Sequence, residues 1–108
     1  MNFNEYQQQA FSTAMYPQKG ANPYYPALGL GECGEVQGKV KKIMRDDGGV
    51  ITDEKRQAIK DELGDVMWYV AVLAIEMGLT LQDIADSNVK KLLDRKNRGV
   101  ITGSGDNR

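Results

Sequence analysis

Two short acidic motifs hold the residues best suited to chemistry. Glu32-Cys33-Gly34-Glu35 and Glu62-Leu63-Gly64-Asp65 each carry two carboxylates three residues apart. On a helix that spacing puts both side chains on one face, with Cβ atoms about 5–6 Å apart. If the two segments lie on antiparallel helices, the chain from Val36 to Asp61 supplies a descent, a tight turn and a return. That path brings residues 32–35 level with residues 62–65, and four carboxylates converge. Such a cluster repels itself unless cations neutralise it. Lys39 and Lys42 offer a salt-bridge network, and an oxygen-ligated divalent ion offers the alternative. The surroundings favour the ion. From Leu63 to Ile75 the chain reads LGDVMWYVAVLAI, with Asp65 its one charge. This reads as a helix buried on most sides, where a carboxylate is costly unless paired or metal-bound.

What is absent narrows the chemistry further. The chain has no histidine and one cysteine, Cys33. Ser-His-Asp and Cys-His nucleophile systems are excluded in their usual form, and so are Cys/His zinc sites. Any metal must be held by oxygen ligands, which suit Mg²⁺, Mn²⁺ or Ca²⁺. Net charge is −1, so no global basic field points to nucleic acid. Basic residues are concentrated late, in VKKLLDRKNR over 89–98. There Asn88, Lys91, Arg95 and Arg98 share one helical face. That stripe suits a polyphosphate, or it is a solvated face at a helix C-terminus. Tyr69, one turn after Asp65, and Trp68 are candidates to stack on a base or to fill the core. Gly31, Gly34 and Gly64 within or beside the acidic motifs suggest close approach of a backbone or a ligand.

The elements that position these residues read as helices throughout one domain, residues 1–108. A first helix over about 3–15 and a Pro- and Tyr-rich loop over 16–26 form the N-terminal part. A second helix runs from about Ala27 to Arg45. Thr52 caps a third from about Asp53 to Met77, which Gly78 stops, and Thr80 caps a fourth from about Leu81 to Arg98, which Gly99 stops. Residues 99–108 read as a flexible tail, mobile or docked on a partner. Long helices joined by short turns should pack antiparallel, with Leu81, Ile84, Ala85 and Leu92 facing inward. The fold class is therefore all-α, a bundle of four main helices. Val66, Met67, Val70, Leu73, Ala74 and Met77 should face the neighbouring helices. Trp68, Ala71, Val72 and Ile75 then point to the opposite side, which predicts assembly as a homo-oligomer. No apolar run reaches the roughly 18 residues that span a bilayer, and Met1-Asn2-Phe3-Asn4-Glu5 lacks the features of a signal peptide. The expectation is a cytoplasmic protein with no membrane or nucleic-acid partner.

Taken together, Gly31-Glu32-x-x-Glu35, Glu62-x-x-Asp65 and Asn88-x-x-Lys91-x-x-x-Arg95 resemble the MazG-like group of all-α nucleoside triphosphate pyrophosphohydrolases. The resemblance implies an all-helical homodimer or homotetramer that hydrolyses (d)NTPs to monophosphate and pyrophosphate with Mg²⁺. By that resemblance Glu32, Glu35, Glu62 and Asp65 are metal ligands, and Lys39 matches a basic position of some members. Two ions about 3.5–4 Å apart can activate a water and stabilise the leaving oxygen. The water attacks the α-phosphorus, with Glu32 or Glu35 as the base, while Asn88, Lys91 and Arg95 hold the phosphates and Tyr69 lines the site. Two rival readings stand beside this one. The first is a non-catalytic helical interaction module whose acids are salt-bridged. The second is DNA binding through Thr80 to Lys96, which the net charge and the neighbouring acids oppose.

Overall fold

The helices begin where a side chain can satisfy the first free backbone N–H groups. Asn2 accepts from Glu5 N at 2.8 Å and donates back to the Glu5 carboxylate at 2.8 Å, a reciprocal cap. Thr52 accepts from Lys55 N and Thr80 from Asp83 N, each at 3.1 Å. In the computed structural model, which describes all residues Met1–Arg108, five helices result. They are α1 (Phe3–Ser12), α2 (Tyr24–Gly29), α3 (Cys33–Asp46), α4 (Asp53–Glu76) and α5 (Leu81–Asn97). A 3₁₀ turn, Leu30–Glu32, separates α2 from α3. Gly78 (φ +70°) and Gly99 (φ +74°) end α4 and α5 in the left-handed region.

Two boundaries differ from the sequence expectation. α1 stops at Ser12, where Thr13 turns its hydroxyl onto Ala10 O at 2.7 Å and its N–H onto the same oxygen at 3.1 Å, and Ala14 N–H bonds to Phe11 O at 3.0 Å. The expected helix over 27–45 is two helices and a turn. Glycines at 29 and 31 weaken the helix there, and the second acidic residue of the stretch, Glu35, lies in α3 while Glu32 ends the 3₁₀ turn.

Asp47-Gly48-Gly49 reverses the chain, with positive φ at both glycines, and α3 and α4 form the expected antiparallel pair. α1 lies on the C-terminal half of α4. There Ala10, Ala14 and Tyr16 pack on Ala71 and Val72, flanked by Tyr6, Phe11, Trp68 and Leu81. Gln7 is 2% exposed. Its amide donates to Ala71 O (3.2 Å) and Leu79 O (3.0 Å) and accepts from Leu81 N (3.2 Å), which knits α1 to the corner between α4 and α5.

That corner corrects a further expectation. α5 does not fold back antiparallel on α4. It leaves at a bend of 104° and packs on α1. Ile84 and Leu92 are consequently exposed rather than inward. The face of α4 carrying Ala71 and Val72 is covered within the chain by α1 and the tyrosine loop. The open face is the other one, a groove lined by Phe3, Val66, Met67, Val70, Leu81 and Ile84. The stretch around Asp65 is likewise not enclosed, since Leu63, Asp65 and Met67 are all exposed. Arg108 donates to the carbonyls of Val100, Ile101 and Gly105 and closes the tail on itself, while Lys91 and Arg95 of α5 bond to Asp106.

Candidate active site

The antiparallel α3–α4 pair brings the 3₁₀ turn beside the middle of α4. Glu32 from the turn and Glu62 and Asp65 from successive turns of α4 present carboxylate oxygens that all lie within 4.8 Å of one another. Glu32 and Glu62 are half-buried, and Asp65 is exposed. Three of the four anticipated carboxylates are thus together. Glu35, exposed in the first turn of α3, is not in this trio. Lys39, one turn further along α3, sits 3.9 Å from Glu62.

An open cleft adjoins the trio, lined by Thr13, Glu32, Asp65, Trp68 and Tyr69. Trp68 donates its indole N–H to Thr13 Oγ1 at 2.9 Å, and Tyr69 meets its ring edge-on at 5.1 Å. The Tyr69 hydroxyl is pushed up from its ordinary value, by burial first and then by the nearby charges of Glu32, Tyr25 and Asp65. Tyr6 of α1 is raised by burial and by Asp65. Burial and negative charge therefore act together on two phenols from different helices. Trp68 is part of the cleft wall as well as a neighbour of the core. Thr13 and Tyr6 reach the site from α1 without any sequence signal. The glycines 31, 34 and 64 have open space around them, and close approach occurs instead at Gly29.

The donor set is all oxygen. Ligands on opposite sides of a Mg²⁺ ion stand about 4.2 Å apart at bond lengths near 2.1 Å, so the trio's spacing is close to that of one coordination sphere. The residues fit a hard divalent cation.

The basic stripe is elsewhere. Asn88 lines the apolar groove between α4 and α5, and Lys91 and Arg95 are bonded to Asp106 of the tail. At 1.5 Å per residue and with the 104° bend, Lys91 lies roughly 20 Å from Asp65 within one chain.

Residues 25–100 match the MazG nucleotide pyrophosphohydrolase domain. The chain belongs to this family. Over its whole length the MazG chain is also similar to the Gene 37 protein of Mycobacterium phage L5, with 50% identity over 114 residues and 100% of both chains covered. It is similar, at 27% identity over 89 residues, to the Uncharacterized protein YvdC of Bacillus subtilis (strain 168), covering 74% of this chain and 84% of the relative. No solved structure matches it. The acidic motifs, the cleft residues Glu32, Asp65, Trp68 and Tyr69, and α5 lie inside the MazG match, whereas α1, Thr13 and the tail from Ile101 lie outside it. No single helix of the MazG chain is long and apolar enough to cross a membrane.

Proposed function

We propose that this MazG domain hydrolyses (d)NTPs to monophosphate and pyrophosphate, with Mg²⁺ held at Glu32, Glu62 and Asp65. The observation that carries this reading is the convergence of three carboxylates from two elements within 4.8 Å, beside an aromatic cleft. A divalent cation held there polarises a phosphate oxygen and lowers the pKa of a water. The chain's own groups do the rest. The trio would hold the cation to which the phosphate chain binds, and Lys39, 3.9 Å from Glu62, balances part of the trio's charge. Trp68 and Tyr69 offer ring faces to the nucleoside. Glu35, close to Glu32 in sequence but outside the trio, is left to take the proton of the water attacking the α-phosphorus. No imidazole competes for that role.

Asn88 shares a groove with Val66 and Met67, whereas Lys91 and Arg95 lie too far from their own trio to grip the same triphosphate. In this reading they serve the site of a second copy in a homodimer or homotetramer. The test is a screen of the common NTPs and dNTPs for Mg²⁺-dependent pyrophosphate release, with chromatography of the nucleotide product. Monophosphate is expected, and diphosphate as first product would sink the reading.

The Lys39–Glu62 pair favours one rival, a non-catalytic module with salt-bridged acids. Mg²⁺ should raise the melting temperature of the enzyme and leave that of such a module unchanged.

A further inference from the structure

The C-terminal segment closes on α5 by a path that its glycines define. Val100 N–H bonds to Arg95 O at 2.9 Å as the chain leaves the helix. Gly103 (φ +136°) and Gly105 (φ +83°) turn it back, and Arg108 ties the loop to itself through three carbonyls. This places Asp106 on the basic face. Its carbonyl accepts from Arg95 Nη2 at 2.6 Å. Its Oδ1 lies 3.6 Å from the same nitrogen and 3.5 Å from Lys91 Nζ. Arg98, the next cation on that face, is held by Asp94 at 2.9 Å. Every cation of the stripe therefore has an acidic partner from its own chain.

The two sides of this contact are unequal. The Arg95 side chain is 5% exposed, and that of Asp106 is 88% exposed. A lysine and an arginine one turn apart, aimed at a carboxylate and a carbonyl oxygen, are also the donors that take a phosphate. An exposed ion pair adds little stability, so the anion can be exchanged without unfolding the helix. Lys91 first, then Arg95, holds the Asp106 carboxyl below its usual range, which keeps it ionised and seated near neutral pH.

We propose that the tail is a strap in which Asp106 stands in for a phosphate, occupying the Lys91–Arg95 seat until the phosphate chain of a ligand displaces it. The proposal rests on the reading of Lys91 and Arg95 as phosphate-binding residues, and it adds that the seat is closed in the resting chain.

Calorimetric binding of inorganic pyrophosphate to the metal-free full-length protein tests it, in four forms: wild type, Asp106→Asn, Arg108→Ala and Lys91→Ala. Loss of the strap charge or of its tie should tighten binding by about fivefold, the scale of one surface ion pair. Lys91→Ala should weaken it. Arg108→Ala is decisive, because Arg108 bonds only to the strap, and its removal takes away a positive charge yet should still tighten binding. Affinity that is unchanged or weaker in both strap variants overturns the proposal, as does the absence of pyrophosphate binding in all four. Nucleotide hydrolysis by the same set separates this outcome from the fate of the catalytic reading. An inactive protein whose strap variants bind pyrophosphate more tightly keeps the strap and loses the enzyme. An active enzyme whose affinity ignores both strap variants loses the strap alone.

Discussion

Tyr69 lies directly against the backbone of Gly29, where an added Cβ would fall 2.1 Å from ring atom Cε1 and 2.3 Å from Cδ1. Gly29 has ordinary helical dihedrals, φ −62° and ψ −21°, so glycine is needed there for space and not for conformational freedom. The contact couples the turn that delivers Glu32 to the helix that delivers Asp65. It also fixes one side of Tyr69 while Trp68, tied to Thr13, fixes its edge.

Gly29→Ala should therefore act on the site more than on the helix. Alanine is the better helix former, but its methyl overlaps the ring and costs about 1–3 kcal/mol if the ring cannot move. Displacement of Tyr69 should raise KM for the nucleotide several-fold, with a smaller change in kcat, and alter the near-UV circular dichroism. An altered spectrum with unchanged KM would show that Tyr69 does not contact the nucleoside.

Asp65→Asn should keep the fold, since Asp65 is exposed, and should lose Mg²⁺-dependent turnover by on the order of 100-fold, the scale of a damaged metal site. Without metal the variant should melt higher than wild type, because one of three mutually repelling carboxylates has gone. Turnover near wild type across a Mg²⁺ titration would remove Asp65 from the ligand set.

The features legible in the sequence are those that local chemistry sets. Thr52, Thr80, Gly78 and Gly99 mark helix ends through their own side chains or dihedrals, and the acidic motifs show through their spacing. The turn at Asp47-Gly48-Gly49 was enough to pair α3 with α4. The bend between α4 and α5 was hidden because Gln7 sets it, one of three consecutive glutamines of which only this one is buried. The break at Leu30–Glu32 was hidden because Gly29, Leu30, Glu32 and Cys33 all keep helical dihedrals. The docking of the tail depends on Asp106 meeting cations 11 and 15 residues away, which glycine-rich composition conceals. The trio's partners from α1, Thr13 and Tyr6, are set by tertiary packing alone.

Acid should loosen the tyrosine loop through Glu76. Its carboxylate accepts from the Tyr16 hydroxyl, from Gly20 N at 2.7 Å and from Asn22 N at 3.0 Å. Burial alone would raise its pKa, but these three bonds outweigh burial and hold it below the usual range. A group depressed in the folded state contributes stability above its unfolded pKa, about 4.3, and that contribution is lost as pH falls through the folded value. Tyr16 is raised instead, by burial and then by Glu76. Its contribution is whole below the unfolded value, about 10, and is lost as pH rises beyond it. Glu76→Gln should lower the melting temperature by several degrees at neutral pH and flatten its acid limb. An acid limb parallel to that of wild type would show that Glu76 is not the group responsible.

Assembly is the expectation on which the placement of Lys91 and Arg95 depends. The chain exposes 7764 Å², whereas a compact monomer of 12.0 kDa exposes about 6,000 Å². Its radius of gyration, 16.9 Å, exceeds the roughly 13 Å of a compact chain of this length. The excess surface is larger than the roughly 800 Å² that each partner contributes to a standard interface. Part of the exposed surface is an apolar groove where Phe3, Val66, Met67, Val70, Leu81 and Ile84 meet. A second copy seated there would cover that groove, and the role proposed for Lys91 and Arg95 requires that it bring its own α5 toward the trio. Light scattering at micromolar concentration should give at least twice 12.0 kDa. Met67→Glu changes a side chain that is 45% exposed in the single chain, so it should spare the helix, shift the mass toward one copy and depress activity together with it. A 12.0 kDa wild-type particle with full activity would mean that no second copy is needed and that α5 serves no neighbour's site.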